Sequence, residues 1–489
     1  MASNPHALRS LAEWLGRIAD YTDAITGRER FPIKNPATNE ILVAIPSLTA
    51  EDANAAITNS LAAAKEWRRT TAQARANILH KWAQLISEHH EALAALLTAE
   101  QGKPLVEARG EITYGTSFIT WFAEEGKRAY GDIIPTNAPT RRLIVTKEPI
   151  GLVAAITPWN FPNAMITRKV APALAAGCPI LVKPAEDTPL SAIALEILAH
   201  EAGVPRDLFR VLPTNSPAEI GGVFTKHPDI RKLTFTGSTP VGKYLMQESA
   251  YTVKKVSMEL GGNAPFIVFD DADLDAAVAG AILSKFRNAG QTCVCANRIL
   301  VQSSIYSQFI DKFTEKVESL IVGNGIDEGV SVGPLINKGA IDKVQQLLND
   351  SLSQGARSIV GGHPFDSSSL FFEPTVLCDV TPGMPIAQSE IFGPIAPIIR
   401  FETEEEAVAL ANDTPFGLAA YFWTQDLGRA WRVSEALEYG MIGVNEGTIS
   451  SEAAPFGGMK ESGIGREGSK YGLDEFLEIK YTSMGGLGA

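Results

Sequence analysis

Cysteine and histidine are scarce: 489 residues hold four cysteines and seven histidines. So few cysteines cannot make a disulfide scaffold in a chain of this length, and a reducing, cytoplasmic setting is the expectation. No histidine has a local spacing to Cys293 that suggests a papain-like pair. Cys293-Val294-Cys295 lacks a nearby histidine or further cysteine, so no four-ligand zinc site and no other metal are expected. Runs of Lys or Arg are also missing. With 43 Lys+Arg against 56 Asp+Glu the formal net charge is −13, which argues against non-specific nucleic-acid binding. The longest apolar stretch, Val170 to Val182, is 13 residues and contains Pro172 and Pro179. A membrane span needs ~20, so no membrane association is expected. Glu13 and Asp20 interrupt the N-terminus, where no apolar core suggests a signal peptide. Repeats, low-complexity tracts and obvious linkers are absent too.

What remains is ordinary globular composition, 45% hydrophobic and 20% charged. At ~150 residues per domain the length allows two to four domains. From Ala50 to Arg128 the pattern is helical, in segments such as Glu51–Trp67 and Ala72–Ala99. Arg141–Glu148 reads as a strand. Strands and helices then alternate: Gly151–Ile156, helix Ala164–Ala176, Pro179–Lys183, helix Leu190–Glu201, then strands Phe209–Leu212, Lys232–Phe235 and Val256–Glu259. This alternation predicts a doubly wound parallel α/β sheet. A second α/β series runs from Pro265 through Gly443, and Phe476–Met484 reads as a late strand. Two large lobes with a cleft between them follow.

Gly463-Ile-Gly465-Arg-Glu-Gly468 has the glycine spacing of a dinucleotide fingerprint. No apolar strand precedes it, so it reads as a loop. A better phosphate candidate is Leu233-Thr-Phe-Thr-Gly237-Ser238-Thr-Pro240: a strand, a glycine, a residue where a helix N-cap belongs, then the helix Val241–Ser249. Free N–H groups and the dipole at such an end attract phosphate; an ordinary capped helix has the same sequence. Lys183-Pro184-Ala185-Glu186 ends another strand, at the sheet edge where ligands bind. There Glu186 can accept from a ribose 2′-OH and repel a 2′-phosphate, favouring NAD over NADP; an exposed charged turn is the alternative.

A helix over Ala281–Asn288 stops at Gly290 and leads into Gln291-Thr292-Cys293, where a cysteine after a tight turn is reactive or simply buried. Glu259 ends a strand before the Gly261-Gly262 turn, and a partly buried carboxylate there suits a general base. Asn160, in Trp159-Asn160-Phe161-Pro162, offers an amide to a developing oxyanion. Singly, each of these is as readily structural as catalytic.

Together the strings TPWNFP (157–162), KPAE (183–186), FTGST (235–239), MELGGN (258–263), GQTC (290–293), EIFGP (390–394) and PFGGMKESGIGRE (455–467) resemble the aldehyde dehydrogenase superfamily over nearly the whole chain. The resemblance implies a Rossmann-like NAD-binding domain (1–130 and 150–262), an α/β catalytic domain (263–460) and a small β oligomerisation element (131–149 and 461–489) that gives a homodimer or homotetramer. It implies Cys293 as nucleophile, forming a thiohemiacetal and then a thioester. Asn160 and the Cys293 N–H would hold the oxyanion, and Glu259 would activate the hydrolytic water. NAD would be held by Thr157, Trp159, Lys183 and Glu186, by Gly237, Ser238 and Leu260, and by Glu390 and Phe392. Lys169 and Glu467 match positions linked to proton relay.

Within the superfamily, the strings at 165–179, 285–298 and 443–481 are most similar to succinate-semialdehyde dehydrogenases. Such a substrate has an aldehyde at one end and a carboxylate at the other. Arg168 and Arg287 would clamp that carboxylate by bidentate bonds, with Ser450 as a third donor by resemblance. Glutarate semialdehyde, another ω-oxo acid or an uncharged aldehyde remains an alternative substrate, and a non-catalytic protein that keeps the fold is the alternative of a different class. Cys295, two residues from the nucleophile, suggests a redox switch in which Cys293 and Cys295 close into a disulfide; simple packing is the other reading. Residues i and i+2 of an extended strand share a face but hold their Cα atoms about 6.5–7 Å apart, at the limit of disulfide geometry, so pairing requires loop movement.

Overall fold

The computed structural model describes residues 5–365 and 369–487. The first sheet has six strands, five of them β1 (Leu152–Ile156), β2 (Ile180–Lys183), β3 (Phe209–Val211), β4 (Ile230–Thr236) and β5 (Lys255–Glu259). These five are parallel, in the order β5-β4-β1-β2-β3. β1 and β2 are buried throughout, as sheets covered on both faces require. One face packs on a helical layer that includes α1 (Leu105–Glu125) and α2 (Ala164–Ala176). The other face packs around Ile57, Leu212, Phe224 and Leu245. Gly177, left-handed at φ 98°, ends α2, the conformation that glycine adopts without a Cβ penalty.

The second sheet has the strands β6 (Pro265–Val268), β7 (Arg298–Gln302), β8 (Arg357–Val360), β9 (Thr375–Cys378), β10 (Ile395–Phe401), β11 (Ala419–Trp423) and β12 (Met441–Val444). Their order is β8-β9-β10-β7-β6-β11-β12, with only the edge strand β8 antiparallel. Leu477–Met484 pairs antiparallel along all of Arg142–Pro149, which also pairs with Asp132–Ile134. This third sheet leaves Ile133, Ile479 and Tyr481 exposed.

Three local readings need correction. The helical pattern over Ala72–Ala99 is two helices, Ala72–Glu88 and His90–Gln101, broken at His89. The helix expected over Ala281–Asn288 is α4 (Leu274–Phe286); beyond it Asn288, Ala289 and Gly290 are left-handed at φ 52°, 54° and 75°. Apolar spacing cannot reveal such a turn, because its cause is tertiary. Finally, Gly463–Ile464 is not purely loop: it adds a short antiparallel strand beside Glu259 and Met258.

The register positions the site. Ile156 lies opposite Lys183 and Phe235, and Thr236 lies opposite Glu259. The carboxyl ends of β1, β2, β4 and β5 therefore release their loops along one sheet edge, the usual ligand edge of such a fold.

Candidate active site

Two cavities meet at Cys293. The first, of about 320 Å³, is lined by Trp159, Asn160, Gly237, Ser238, Glu259, Leu260, Glu390 and Phe392. The second, of about 310 Å³, is lined by Arg168, Arg287 and Ser450, together with Tyr114, Glu107 and Phe161. Cys293 lines both, as does Met165.

The double glycine after β5 lets the parts close up. A Cβ at Gly262 would stand 2.7 Å from the Cys293 carbonyl oxygen, and one at Gly261 would stand 2.8 Å from Glu390 Oε2. The Gly262 N–H donates to Glu390 Oε1 at 3.0 Å. Asn160 Nδ2 donates to the Gln291 carbonyl at 3.0 Å, which ties it to the turn that carries Cys293 and leaves a second amide hydrogen for the cavity it lines. The Asn160 carbonyl accepts from Lys103 Nζ at 2.8 Å and Asn288 Nδ2 at 3.1 Å. Phe392 is held at φ 57°, with its ring edge-on to Trp159 at 5.5 Å. A bulky residue in that region is strained, and such strain collects at functional sites.

Burial pushes the Cys293 thiol up to about 12, helped by nearby Glu390 and opposed by Arg168. Glu259 is buried with neither carboxylate oxygen hydrogen-bonded. Burial first, then the Glu467 charge, raises its pKa well above the usual carboxylate range. Such a carboxylate suits general-base work near neutral pH.

Not every expected residue reaches the first cavity. Thr157 is buried beside it, its N–H donating to the Lys183 carbonyl at 3.1 Å. Lys183 Nζ donates to Glu186 Oε2 at 3.1 Å. Glu186 lines a third cavity, which adjoins the first through Ile336 and Asn337. Ser238 occupies the N-cap of α3 (Thr239–Ser249), but its side chain makes no capping bond.

The arginines share the second cavity on unequal terms. Arg168 NH2 lies 2.7 Å from Glu467 Oε2, with its guanidinium 3.9 Å above the Phe456 ring. Among the described residues no ion pair involves Arg287, which sits 5.4 Å from the Phe161 ring. Arg287 is thus the freer of the two, whereas the sequence suggests an equal clamp. Cys295 is buried, with Sγ donating to the Gly290 carbonyl at 3.3 Å. Residues 292–295 form a turn, the Cys295 N–H donating to the Thr292 carbonyl.

Sequence reading missed Lys343 and Ala340 in the first cavity, both from α5 (Lys338–Ser353), and Tyr114 and Glu107 of α1 in the second. Helical periodicity places these residues on a face without saying what that face covers. The first cavity fits a nicotinamide dinucleotide: the uncapped N-terminus of α3, the unbonded buried hydroxyl of Thr236 and the half-buried carboxylate of Glu390 converge on it. Among the described residues no cluster of His, Cys, Asp and Glu suits a metal ion, and no helix is long and apolar enough to cross a membrane.

The model of the aldehyde dehydrogenase family matches residues 21–482. The chain belongs to that family. It is 59% identical to a 3-sulfolactaldehyde dehydrogenase of Pseudomonas putida, over 94% of each chain. It is 57% identical to a succinate semialdehyde dehydrogenase of Acinetobacter baylyi, over 94% of this chain and 95% of the relative. The crystal structure of a succinate-semialdehyde dehydrogenase from Burkholderia pseudomallei superposes with a TM-score of 0.92 at 56% identity, covering 94% of this chain and 95% of that one. The protein is an aldehyde-oxidising enzyme of a family that uses NAD(P).

Proposed function

We propose that this aldehyde dehydrogenase oxidises succinate semialdehyde to succinate, with NAD as the preferred acceptor. The observation that carries the reading is Cys293 on the wall shared by the dinucleotide cavity and the arginine-lined cavity. An aldehyde whose far carboxylate meets Arg287, Arg168 and Ser450 presents its carbonyl carbon to Cys293 Sγ. Glu259 takes the thiol proton as the S–C bond forms. Asn160 Nδ2 and the Cys293 N–H donate to the resulting oxyanion, a large electrostatic contribution to such chemistry. The nicotinamide cofactor, when bound, supplies the hydride acceptor. Residues 157–159, Lys183, Gly237, Ser238, Leu260, Glu390 and Phe392 hold it in place. Glu259 then draws a proton from water as that water attacks the thioester, and the S–C bond breaks to release the acid.

Glu186 at the ribose end is the basis for NAD over NADP. On this reading the six-stranded sheet, with the helices before it, holds the cofactor, and the seven-stranded sheet carries the nucleophile. The strands near 131–149 and 461–489 would join copies into a dimer or tetramer, with the enzyme in the cytoplasm. Cys295 would close onto Cys293 under oxidation.

The test compares cofactor reduction with succinic semialdehyde and butanal, which differ chiefly in the distal carboxylate. A preference of about a hundredfold, roughly the ~3 kcal/mol of a charge-assisted contact, supports the clamp, and equal kcat/KM values overturn the substrate reading. A second reading is an anionic aldehyde bearing sulfonate, since a guanidinium accepts either anion and one relative at 59% identity bears a sulfolactaldehyde name. Glutarate semialdehyde and 3-sulfolactaldehyde in the same assay separate these.

A further inference from the structure

The buried general base faces a proton-counting problem. One proton reaches Glu259 from the Cys293 thiol as sulfur adds to the carbonyl. A second comes from the water whose O–H bond breaks as its oxygen adds to the thioester and the S–C bond cleaves. One carboxylate stores one proton, so Glu259 must discharge between the two events. Its side chain is buried and lines the dinucleotide cavity, and the acyl group fills the other side of Cys293. Discharge therefore runs through a third side.

On that side stands Glu467, in contact with Lys169 and ion-paired to Arg168 at 2.7 Å. Lys169 Nζ also donates to Thr234 Oγ1 at 3.2 Å. Two residues back along β4, on the same face, is Lys232, with no exposed surface. Its Nζ donates to Ser257 Oγ and lies 3.1 Å from Glu475 Oε2. Ser257 Oγ in turn donates to Glu475 Oε2 at 2.8 Å. Ser257 is the cross-strand partner of Thr234, which brings the two groups of residues side by side. Glu475 retains 20% side-chain exposure in the single subunit and forms the outer end of the line.

The segment around Gly457 and Gly465 covers this line. A Cβ at Gly457 would stand 2.8 Å from Glu259 Oε1, and one at Gly465 would stand 3.1 Å from both Ser257 Oγ and Glu475 Oε1. Both glycines have positive φ, 152° and 88°. At both positions an added side chain would crowd the line. Around Lys232 the charged groups are Lys255 of β5, Lys169 of α2, and Glu467 and Glu475 of the C-terminal segment; burial brings its pKa down to about 8, well placed for exchange near neutral pH.

We propose that Lys232, Ser257 and Glu475 form the outer leg of a proton exit that runs from Glu259 past Glu467 and Lys169 to the surface. The inference rests on the reading of Glu259 as the base. Lys232→Met, Ser257→Ala and Glu475→Gln are compared with Lys255→Met, a control at a half-exposed lysine 4.0 Å from Glu475. Stopped-flow cofactor reduction is followed in H₂O and D₂O. Lys232→Met is expected to show a burst of reduced cofactor, then a steady-state rate lower by about tenfold or more, with KM changed less than about twofold. The solvent isotope effect on that rate rises, and Lys255→Met behaves as wild type. The outer leg is refuted if Lys232→Met and Ser257→Ala both keep kcat within about twofold with the wild-type isotope effect. It is equally refuted if the Lys232→Met loss matches the unfolded fraction seen by circular dichroism. Glu259→Gln, run alongside, separates the two readings: full turnover in that variant removes the base assignment itself.

Discussion

Replacing Arg287 with methionine keeps an apolar stem in the second cavity and removes the guanidinium that lacks an ion-pair partner. Arg168 already faces Glu467 at 2.7 Å, so a substrate carboxylate gains less from it than from Arg287. A hydrogen bond to a charged group contributes about 1.5–3 kcal/mol, and a central ~2 kcal/mol corresponds to about thirtyfold in kcat/KM. Arg287→Met is therefore expected to lose about thirtyfold on succinic semialdehyde, mostly through KM, because the contact exists before and during the chemistry. Butanal makes no such contact and should change by less than about threefold. Cofactor reduction at saturating NAD gives both numbers from one preparation. Equal losses on the two substrates would show that Arg287 shapes the nucleophile's turn rather than recognising the carboxylate. No loss on either would remove it from the site.

Glu259→Gln should slow the first cofactor reduction and lower steady-state turnover, each by about a hundredfold or more; a normal steady state would place the base elsewhere. In the wild type, kcat should fall with decreasing pH through a pKa above the ordinary carboxylate range, since protonated Glu259 cannot take a proton; that limb should vanish in Glu259→Gln. Gly262→Ala forces a Cβ to 2.7 Å from the Cys293 carbonyl, so kcat should drop while Tm shifts only a few degrees, by activity and thermal melting on one sample. Glu186→Gln should raise kcat/KM with NADP by about fivefold, a modest gain because the side chain is half exposed and screened; an unchanged cofactor ratio would move the selectivity elsewhere. Peroxide should inactivate the enzyme reversibly with dithiothreitol, and Cys295→Ala should lose that reversibility; a variant that recovers as fully as wild type would refute the switch.

Local signals carried far in this chain. Helix Ala164–Ala176 is readable because Gly177 supplies its left-handed end, and the strand ends at Lys183, Thr236 and Glu259 are readable because apolar runs stop there. Partners far apart in the chain were not legible. Glu467 lies about three hundred residues from Arg168 and Lys169, and nothing local marks it as their counter-ion. The left-handed Asn288 and Ala289 continue an apparent helix in sequence; the turn is held by Glu107, which accepts the Asn288 N–H at 2.8 Å from another helix. Lys343 reaches the first cavity from an amphipathic helix whose exposed and site-facing positions have the same spacing.

The four charges behind Cys293 show how two glutamates become different groups. Glu467 receives Arg168 and Lys169, and these partners outweigh burial and hold its pKa below the ordinary value. Glu259, next to it, receives no hydrogen bond, so burial and the Glu467 charge act without opposition strong enough to cancel them. Moving either cation to Glu259 would reverse the assignment: Glu259 would stay ionised and be a weak base, while Glu467 would hold the proton. Environments that drive a pair of carboxylates apart are what separates a base from its counter-charge. The Arg168–Glu467 contact that weakens the substrate clamp is therefore the contact that leaves Glu259 basic. Arg168 beside Glu467 helps keep that carboxylate ionised, and on the proposed function recognition of the substrate's carboxylate then falls to Arg287.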